Sequence, residues 1–270
     1  MKIMSFNVNG LRARIHQLKA IIDKHKPDII GLQETKVSNE EFPVKDIQEL
    51  GYDVTFHGQK GHYGVALLYR LPITSSNNGF PHDDNESQKR FIAGEFKFQD
   101  KKLSILNGYF PQGGSRSHNQ KFSYKQKFYS ALTSHLQLKY SHNDLLLVMG
   151  DMNVAPTDLD IGIGDENRKR WLRTGKCCFL PEEREWLQRL EKWGLIDTYQ
   201  HFHPKEINRY SWFDYRSRGF EMEPKRGLRI DLILTSKPLT KMVASAGIDH
   251  ATRGMTKPSD HCPIWISLKA

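Results

Sequence analysis

The sequence predicts one α/β domain, residues 1–270, with β-sheets packed at its centre. Strand-like and helix-like patterns alternate along the chain without a low-complexity break, an internal repeat or a domain linker. Four strand patterns follow one another with no helix between them, which favours antiparallel pairing over a simple series of βαβ units. They occupy residues 52–57, 64–69, 91–98 and 103–108. A chain of this length can also bury a substantial core.

The amino-terminal elements have the order strand, helix, strand. The apolar run at residues 3–7 predicts a strand at the start of the chain. A helix is predicted next, because apolar residues recur at helical spacing: Leu11, Ile15, Leu18 and Ile22. Pro27 closes this helix, and residues 28–32 then form a predicted strand.

Two longer helices are predicted in the second half of the chain, over residues 125–140 and 182–193. The second has Pro181 at its start and Gly194 just past its end, which is the usual punctuation of a helix. Both show an apolar face at helical spacing. The residues expected to enter the core are Phe128, Leu132, Leu136, Trp186, Leu190 and Trp193.

Two segments, 110–122 and 154–180, are predicted to be irregular. Loops of this length inside a compact domain are more often functional than idle. The second contains a basic run at residues 168–173, with Trp171 inside it and Lys176 after it. This run is either a solvated charged surface or a nucleic-acid surface with a hydrophobic wedge.

The overall charge favours a polyanionic partner. There are 40 Lys and Arg against 31 Asp and Glu, which gives a net charge of +9 and a pI near 9.3. Several of the acidic residues stand at strand ends, so the remaining surface is more positive than the net charge suggests. Nucleic acid is the leading candidate, with a generically basic protein as the alternative.

The cysteines and the amino terminus indicate a cytoplasmic protein. The three cysteines, Cys177, Cys178 and Cys262, form no C-x-x-C pair and indicate neither a disulfide framework nor a zinc site. We find no secretory leader and no apolar run approaching the ~20 residues that a membrane span needs. His201 and His203 flank Phe202 far from any carboxylate motif and are expected to be structural.

Polar residues recur where predicted strands end. The apolar run 145–149 leads into Gly150-Asp151-Met152-Asn153, and strand alternation would point Asp151 and Asn153 to the same side. Gly150 would allow another backbone or a ligand to approach closely. Taken alone, this segment fits a polar turn equally well. Similar chemistry recurs at Glu34, Asp231 and Ser259-Asp260-His261, and carboxylates inside a polyanion-binding protein indicate metal-dependent phosphate chemistry.

These motifs, in this order, resemble the exonuclease III family over essentially the whole chain. The resemblance implies a deoxyribonuclease I-like fold: a four-layered sandwich of two mixed sheets with helices outside and the active site at one end of the sheets. The segment 159–176 is similar to the bacterial branch in particular. The motifs are Ser5-Phe6-Asn7-Val8-Asn9-Gly10, Gly31-Leu32-Gln33-Glu34-Thr35-Lys36, Asn107-Gly108-Tyr109-Phe110-Pro111, Gly150-Asp151-Met152-Asn153, Ser211-Trp212-Phe213-Asp214-Tyr215-Arg216, Arg229-Ile230-Asp231 and Ser259-Asp260-His261.

Chemistry and the resemblance together assign the metal. Cleaving a phosphodiester needs a neutralised non-bridging oxygen, a deprotonated water and a stabilised leaving oxygen. We expect Mg²⁺, for which Mn²⁺ should substitute, with Glu34 as the principal ligand. The further ligands are expected among Asn7, Asp151, Asn153 and Asp260. One ion and two ions both fit.

The remaining catalytic roles are also assigned by resemblance and chemistry. Asp151 is expected to orient and deprotonate the attacking water, with Asn153 fixing its geometry. Asp231 should hold His261 as an imidazolium that donates a hydrogen bond to a phosphate oxygen. The alternative in which His261 is the general base stays open. Tyr109 would stabilise the phosphate or the leaving oxygen.

Substrate contacts follow from the resemblance. Trp212, Phe213 and Leu228 would wall a small pocket for an extruded deoxyribose without its base. Four basic residues would hold the DNA backbone without reading sequence: Arg90, Lys121, Lys176 and Arg216. Two departures from the family pattern affect this surface. Gly114 and Asn119 replace glutamate and proline, and residues 221–225 make their loop slightly longer.

The predicted function is a Mg²⁺-dependent DNA repair nuclease. It would cleave 5′ to abasic sites and degrade duplex DNA from 3′ ends, with 3′-phosphatase activity, as a monomer with no obligatory protein partner and no membrane. The main alternative is a phosphoesterase of the same superfamily acting on a soluble, non-DNA ester. A sphingomyelin-type phosphodiesterase should show an export signal or apolar hairpin, and a non-catalytic DNA binder should have lost a carboxylate.

Overall fold

The computed structural model describes residues 1–269. In this part of the chain, two six-stranded mixed sheets pack face to face and helices cover their outer faces. The arrangement confirms the four-layered sandwich implied by the resemblance. None of the helices within these residues is long and apolar enough to cross a membrane.

The elements have the following bounds. The strands are β1 (Lys2–Asn7), β2 (Ile29–Gln33), β3 (Asp53–His57), β4 (Val65–Tyr69), β5 (Ile73–Asn78), β6 (Phe91–Phe98), β7 (Lys101–Tyr109), β8 (Leu145–Asp151), β9 (Leu195–Asp197), β10 (Asp231–Ser236), β11 (Val243–Ile248) and β12 (Ile264–Leu268). The α-helices are α1 (Ile15–His25), α2 (Val44–Glu49), α3 (Asn119–Lys139), α4 (Asp165–Thr174), α5 (Pro181–Trp193), α6 (Thr198–Phe202), α7 (Lys237–Thr240) and α8 (His250–Arg253). Three 3₁₀ turns lie at Leu11–Arg14, Asp158–Asp160 and Gly219–Glu221.

Each sheet is built around one parallel strand pair. The first sheet has the order β11-β12-β1-β2-β4-β3, and the second β5-β6-β7-β8-β10-β9. Strands β1 and β2 run parallel in the first sheet, and β7 and β8 run parallel in the second. Helices α1 and α3 make the two crossovers, as parallel pairs require. The carboxyl ends of all four strands therefore meet at one end of the sandwich.

Three apolar layers hold the sandwich together. The central layer lies between the sheets and includes Ile3, Leu67 and Ile105. Helices α1 and α2 cover the outer face of the first sheet, and α3 and α5 cover that of the second. Parallel strands buried on both faces carry continuous apolar runs, which explains the sequence of β8.

A polar bridge between the sheets lies just below the site end of the central layer. The buried amide of Asn107 on β7 donates to the main-chain oxygens of Leu32 and Ala66 at 2.9 Å each. Gln33 in turn donates to the Asn107 Oδ1 atom at 2.6 Å. Because a buried polar group must find partners, this bridge fixes how the two sheets face each other.

Most predicted elements are confirmed, with three differences. Helix α3 begins at Asn119 rather than 125, because His118 caps it by accepting from the Lys121 amide. The predicted loop 154–180 contains α4, whose residues are all at least partly exposed and therefore show no core-facing stripe. The four consecutive strands do pair antiparallel, but β3 and β4 belong to the first sheet and β6 and β7 to the second.

Candidate active site

The predicted site residues converge at the end of the sandwich where the parallel strands terminate. Asn7 ends β1, Glu34 follows β2, Tyr109 ends β7 and Asp151 ends β8. Asp151 lies beside Tyr109 on one side in the sheet and beside Asp231 on the other. Both sheets therefore contribute carboxylates to one cleft.

The turn after β8 brings Asp151 and Asn153 to the cleft by a different route from the predicted one. Asn153 has a φ of +52°, so the chain has left the extended conformation and strand alternation no longer applies. Its main-chain N–H bonds the Asp151 Oδ1 atom at 3.0 Å, and both side chains line the cleft. The prediction for Gly150 is confirmed: a Cβ there would meet the Gly108 carbonyl oxygen at 1.9 Å.

One amide joins two of the carboxylates. The Nδ2 atom of Asn7 donates to Asp151 at 2.9 Å and to Glu34 at 3.1 Å. Its Oδ1 atom accepts from the Asn9 main-chain N–H at 2.9 Å, which fixes the amide in this orientation. Two carboxylates that share one donor face each other across a small space.

Asp231 and His261 form a buried pair, as predicted. His261 Nδ1 lies 2.9 and 3.0 Å from the two Asp231 oxygens, and Ser211 donates to the same carboxylate at 2.6 Å. The Nε2 atom of His261 is left facing the cleft, 3.7 Å from Asp151. Burial alone would lower the pKa of His261, but the charges of Asp231 and Asp151 outweigh it and raise the pKa to about 10. The neighbouring carboxylates therefore favour the imidazolium form of the ring.

Burial also changes the acidity of two groups beside this pair. Asp151 is only 2% exposed, and its desolvation, opposed by His261, raises its pKa to about 7. Desolvation raises the pKa of Tyr109 well above its ordinary value, and the charges of Glu34 and Asp151 add to the effect. Asp151 can thus exchange a proton near neutral pH, whereas Tyr109 stays a phenol that donates a hydrogen bond.

Asp260 is held by two donors from separate segments. Trp212 donates its indole N–H to Oδ2 at 3.0 Å, and Asn9 donates its amide to Oδ1 at 2.8 Å. Lys36 then links Asn9 to Glu34, because its ammonium lies 2.5 Å from Asn9 Oδ1 and 3.0 Å from the Glu34 carboxylate. The orientations of Asp260 and Glu34 are therefore coupled.

The donor set fits a hard divalent cation. Glu34, Asp151 and Asp260 supply carboxylate oxygens on the cleft, and the Oδ1 atom of Asn153 has only a weak contact of 3.7 Å with the Cys178 thiol. Within residues 1–269, the group of possible ligands whose atoms lie within 4.8 Å of one another is Asp151, Asp231 and His261. A protonated imidazole is a poor metal ligand, and Asp231 is already bonded to His261 and Ser211, so Asp151 is the member of this group that is best placed to bind a cation.

The cleft above these residues encloses about 640 Å³. Trp212 and Leu228 line it, as predicted, and are joined by main-chain hydrogen bonds. Phe213 does not: it is fully buried and packs against Phe220 and His250 beneath the cleft. The reason is that neighbouring residues in an extended segment face opposite sides.

The predicted DNA-contact residues divide into two groups. Lys176 and Arg216 line the cleft, and Lys121 lines an adjoining groove of about 820 Å³. Arg90 borders that groove but is only 7% exposed, with its guanidinium between the rings of Tyr63 and Tyr109 at 4.0 and 4.6 Å. It also donates to the Tyr109 carbonyl at 3.0 Å, so its contacts in this structure are to the protein itself.

Several residues at the site received no role from the sequence. Asn9, Lys36 and Ser211 stand inside the quoted motifs, and their closeness to the carboxylates was the available signal. Met222 lines the cleft from the longer loop, and nothing in its spacing indicates this. Arg170 and Trp171 line the cleft from α4, and they belong to the basic run for which a nucleic-acid surface was one of the two interpretations. The structural reading of His203 fits its contacts, because its two ring nitrogens lie near Glu206 and the Ala246 carbonyl.

The chain is similar to known nucleases over its whole length. The model of the Endonuclease/Exonuclease/phosphatase family matches residues 4–261. The chain is 54% identical to Exodeoxyribonuclease III of Haemophilus influenzae over 269 residues, covering 100% of both chains. Among solved structures, it resembles an AP endonuclease from Archaeoglobus fulgidus with a TM-score of 0.90 and 31% identity. It also resembles a 3′ phosphatase from Neisseria bound to a product DNA hairpin, with a TM-score of 0.89 and 32% identity. Both matches cover 100% of each chain.

Proposed function

Because the chain belongs to the endonuclease/exonuclease/phosphatase family, we propose that it is a metal-dependent DNA repair nuclease. It cleaves the phosphodiester 5′ to abasic sites, degrades duplex DNA from 3′ ends and removes 3′ phosphates. We further propose that the metal is Mg²⁺ and that the enzyme acts as a monomer. The proposal is supported by the similarity of the whole chain to an exodeoxyribonuclease III, an AP endonuclease and a 3′ phosphatase.

One observation carries the proposal: carboxylates, an imidazolium and a phenol meet on one cleft with a basic rim. The floor holds Glu34, Asp151 and Asp260, while Lys176 and Arg216 stand on the walls. A floor of carboxylates repels a phosphate unless a cation lies between them. Such a cleft suits a polyanion that brings its phosphate onto a bound metal ion.

The groups that would hold the metal are Glu34 and Asp260, with Asp151 and Asn153 beside them. The Asn7 amide presents its nitrogen to two carboxylates, so we assign it the role of orienting Glu34 and Asp151. A hard divalent cation bound there supplies charge that neutralises a non-bridging phosphate oxygen.

Asp151 is the general base in this proposal. It is buried on the cleft floor with a pKa of about 7, so it can take a proton from water near neutral pH. In this assignment His261 keeps its own proton, because the charges of Asp231 and Asp151 raise its pKa. The water attacks phosphorus in line as its proton passes to Asp151. The bond from phosphorus to the 3′ oxygen breaks, and that oxygen leaves as an alkoxide that takes a proton from solvent to become the 3′ hydroxyl.

His261 and Tyr109 stabilise the charge that develops on the phosphate. The Nε2–H of His261 points into the cleft because Nδ1 is taken by Asp231. The Tyr109 phenol keeps its proton and donates from the opposite side of Asp151. Donors fixed before the reaction stabilise the transition state without reorganisation.

Abasic selectivity is assigned to Trp212 and Leu228. Their side chains belong to the apolar lining of the cleft, which also includes Ile163, Trp171, Met222 and Ile230. An extruded sugar without its base would pack against Trp212 and Leu228, whereas the base of an intact nucleotide would compete for the same apolar surface. Phe213 supports this wall from below through its packing on Phe220.

The test uses a duplex with a single abasic analogue, with Mg²⁺ or with EDTA. We expect incision 5′ to the abasic site in Mg²⁺ only, and losses of several orders of magnitude in Asp151→Asn and Glu34→Ala. Incision that survives EDTA, or full activity in both variants, would refute the proposal. A soluble phosphate monoester in a parallel reaction tests the non-DNA alternative, for which it should be the better substrate.

A further inference from the structure

A fully buried ion pair lies behind the cleft and has no role in the chemistry above. Lys125 on α3 and Glu183 on α5 are both 0% exposed, and their charged groups are 2.5 Å apart. Desolvating two charges costs several kcal/mol, and a well-packed apolar pair is often at least as stable. Stability alone therefore does not account for this pair.

The Lys125 ammonium holds two segments of the cleft by their main chains. It donates to the carbonyl oxygen of Asn153 at 2.8 Å and to that of Gln112 at 3.3 Å. Both residues line the cleft, and Gln112 also borders the adjoining groove. One buried group thus connects the turn after β8 with the loop after β7.

Asn153 has an uncommon backbone conformation that its neighbours hold in place. Its φ of +52° lies in the left-handed region, which glycine adopts readily and asparagine less often. The conformation persists when surrounding contacts over-determine it. Its amide donates to the Phe110 carbonyl at 2.9 Å, while Lys125 fixes its own carbonyl.

The next turn of α3 holds the main-chain carbonyl of Met152, the residue before Asn153. Tyr129, four residues after Lys125 and on the same helix face, donates its hydroxyl to the Met152 oxygen at 2.7 Å. Glu183 fixes the other end, because its second oxygen accepts from the Leu180 main-chain N–H at 2.8 Å. Two consecutive carbonyls of the turn are therefore set by α3, and α3 is set against α5.

We propose that Lys125, held by Glu183, is a positioning residue that fixes Asn153 and Gln112 at the cleft. This inference rests on the proposed function, because it assumes that Asn153 acts in phosphodiester cleavage. The pair works through the turn and does not touch the substrate. Its loss should lower kcat more than it changes KM.

The test compares Glu183→Gln with the double variant Lys125→Met/Glu183→Gln, both in the full chain. Glu183→Gln keeps the Lys125 ammonium and an acceptor oxygen at position 183, whereas the double variant lacks both charges. We expect the double variant to be at least as stable as Glu183→Gln, because it also removes the ammonium that Glu183→Gln leaves without its counter-charge. Its kcat for abasic incision should be about 10 to 100-fold lower, since small misplacements in an active site have effects of that size. KM should change less than about threefold.

Two further variants serve as controls, one for lost stability and one for lost charge. Leu68→Ala, in the core of the first sheet, controls for loss of stability and should leave kcat unchanged well below its Tm. Lys125→Arg/Glu183→Asp keeps a cationic donor, both charges and the combined side-chain length, and should therefore retain a larger fraction of kcat than Lys125→Met/Glu183→Gln. If Lys125→Met/Glu183→Gln does not fold, Lys125→Arg/Glu183→Asp is compared with the wild-type chain instead. A kcat at least tenfold lower in that variant, at unchanged Tm, would overturn the inference.

The outcomes separate this inference from the proposed function. A wild-type chain without Mg²⁺-dependent incision refutes the proposed function itself. An active wild-type chain together with a folded Lys125→Met/Glu183→Gln variant whose kcat equals that of Glu183→Gln refutes only the positioning role. The positioning role is also refuted if kcat falls in proportion to Tm across all the variants, including Leu68→Ala.

Discussion

Single side chains at the cleft combine two tasks, and Trp212 is the clearest case. Its ring lines the cleft, while its indole N–H donates to Asp260 at 3.0 Å. The same residue therefore shapes the substrate pocket and orients a proposed metal ligand. Groups that orient a metal ligand commonly change metal affinity when they are removed.

Trp212→Phe should separate these two tasks. Phenylalanine keeps an aromatic wall but cannot donate to Asp260, so the Mg²⁺ concentration for half-maximal activity should rise about tenfold. The preference for abasic over intact duplex should be retained, whereas Trp212→Ala should lose both. Mg²⁺ titrations of abasic incision measure the effect, with Trp193→Phe in α5 as the control. An unchanged Mg²⁺ requirement in Trp212→Phe would contradict the role of the indole N–H.

The position of the site residues at strand ends could be predicted from the sequence. Whether a neighbouring side chain points into the cleft or into the core could not. Asp151 and Glu34 follow apolar runs, so their placement at the sheet end follows from the strands themselves. Phe213 and Arg90 look equally suited to ligand contact, yet both are buried. Whether a side chain faces the cleft depends on packing against distant segments, here Phe220 and Tyr63.

At the scale of elements, polar ties fix short helices that have little apolar surface. Helix α8 has only four residues and is joined to α1 through Asp249 at its amino terminus. Asp249 is almost fully buried and accepts from Lys24 and His25 at 2.9 and 2.8 Å. Burial would raise the pKa of Asp249, but hydrogen bonds from His25, Lys24 and Thr252 outweigh it and hold the pKa well below its usual range.

Asp249→Asn should therefore destabilise the protein in a pH-dependent way. A carboxyl whose pKa is lower in the folded state stabilises it above the unfolded pKa, about 3.9, and loses this effect as the pH falls towards the folded value. We expect a melting temperature lower by roughly 4 to 8 °C at pH 7. The difference should shrink below about pH 4. Thermal melts of both proteins from pH 3 to 8 measure it, and a difference independent of pH would contradict the ion-pair argument.

Whether a helix or strand could be predicted from the sequence depends on how much apolar surface it buries. Helices α1, α3 and α5 bury one apolar face, so their periodicity is visible in the sequence. Strand β5 is an edge strand of mostly exposed polar residues. Helix α4 has only two apolar residues, Trp171 and Leu172, and buries none of its side chains fully, so neither element shows the apolar run or face by which the others were predicted. Edge and surface elements are held by partners elsewhere in the chain, which a local pattern does not contain.

At the scale of the whole molecule, the cleft exists only because two sheets meet in one relative position. The first sheet supplies Asn7 and Glu34, and the second supplies Asp151 and Asp231. The Asn107 bridge to both β2 and β4 fixes this position just below the site. No local sequence pattern specifies how the two sheets face each other. In this chain the arrangement was predicted from the resemblance, which rests on the order of the motifs along the whole chain.

The net charge of +9 gives the last prediction, because charge acts through the whole surface. Binding of duplex DNA should weaken linearly in a plot of log K against log salt, since each neutralised phosphate releases counterions. Lys121→Ala, Lys176→Ala and Arg216→Ala should each reduce that slope by about 1 and weaken binding alike for all sequences. Arg90→Ala should leave the slope nearly unchanged, because its guanidinium is occupied by Tyr63, Tyr109 and Gln88. Fluorescence anisotropy from 50 to 300 mM salt, on the order of the physiological range, measures the slopes in Ca²⁺ or EDTA to prevent cleavage. A slope change of about 1 for Arg90→Ala would mean that this side chain leaves the two rings to reach a phosphate when DNA binds.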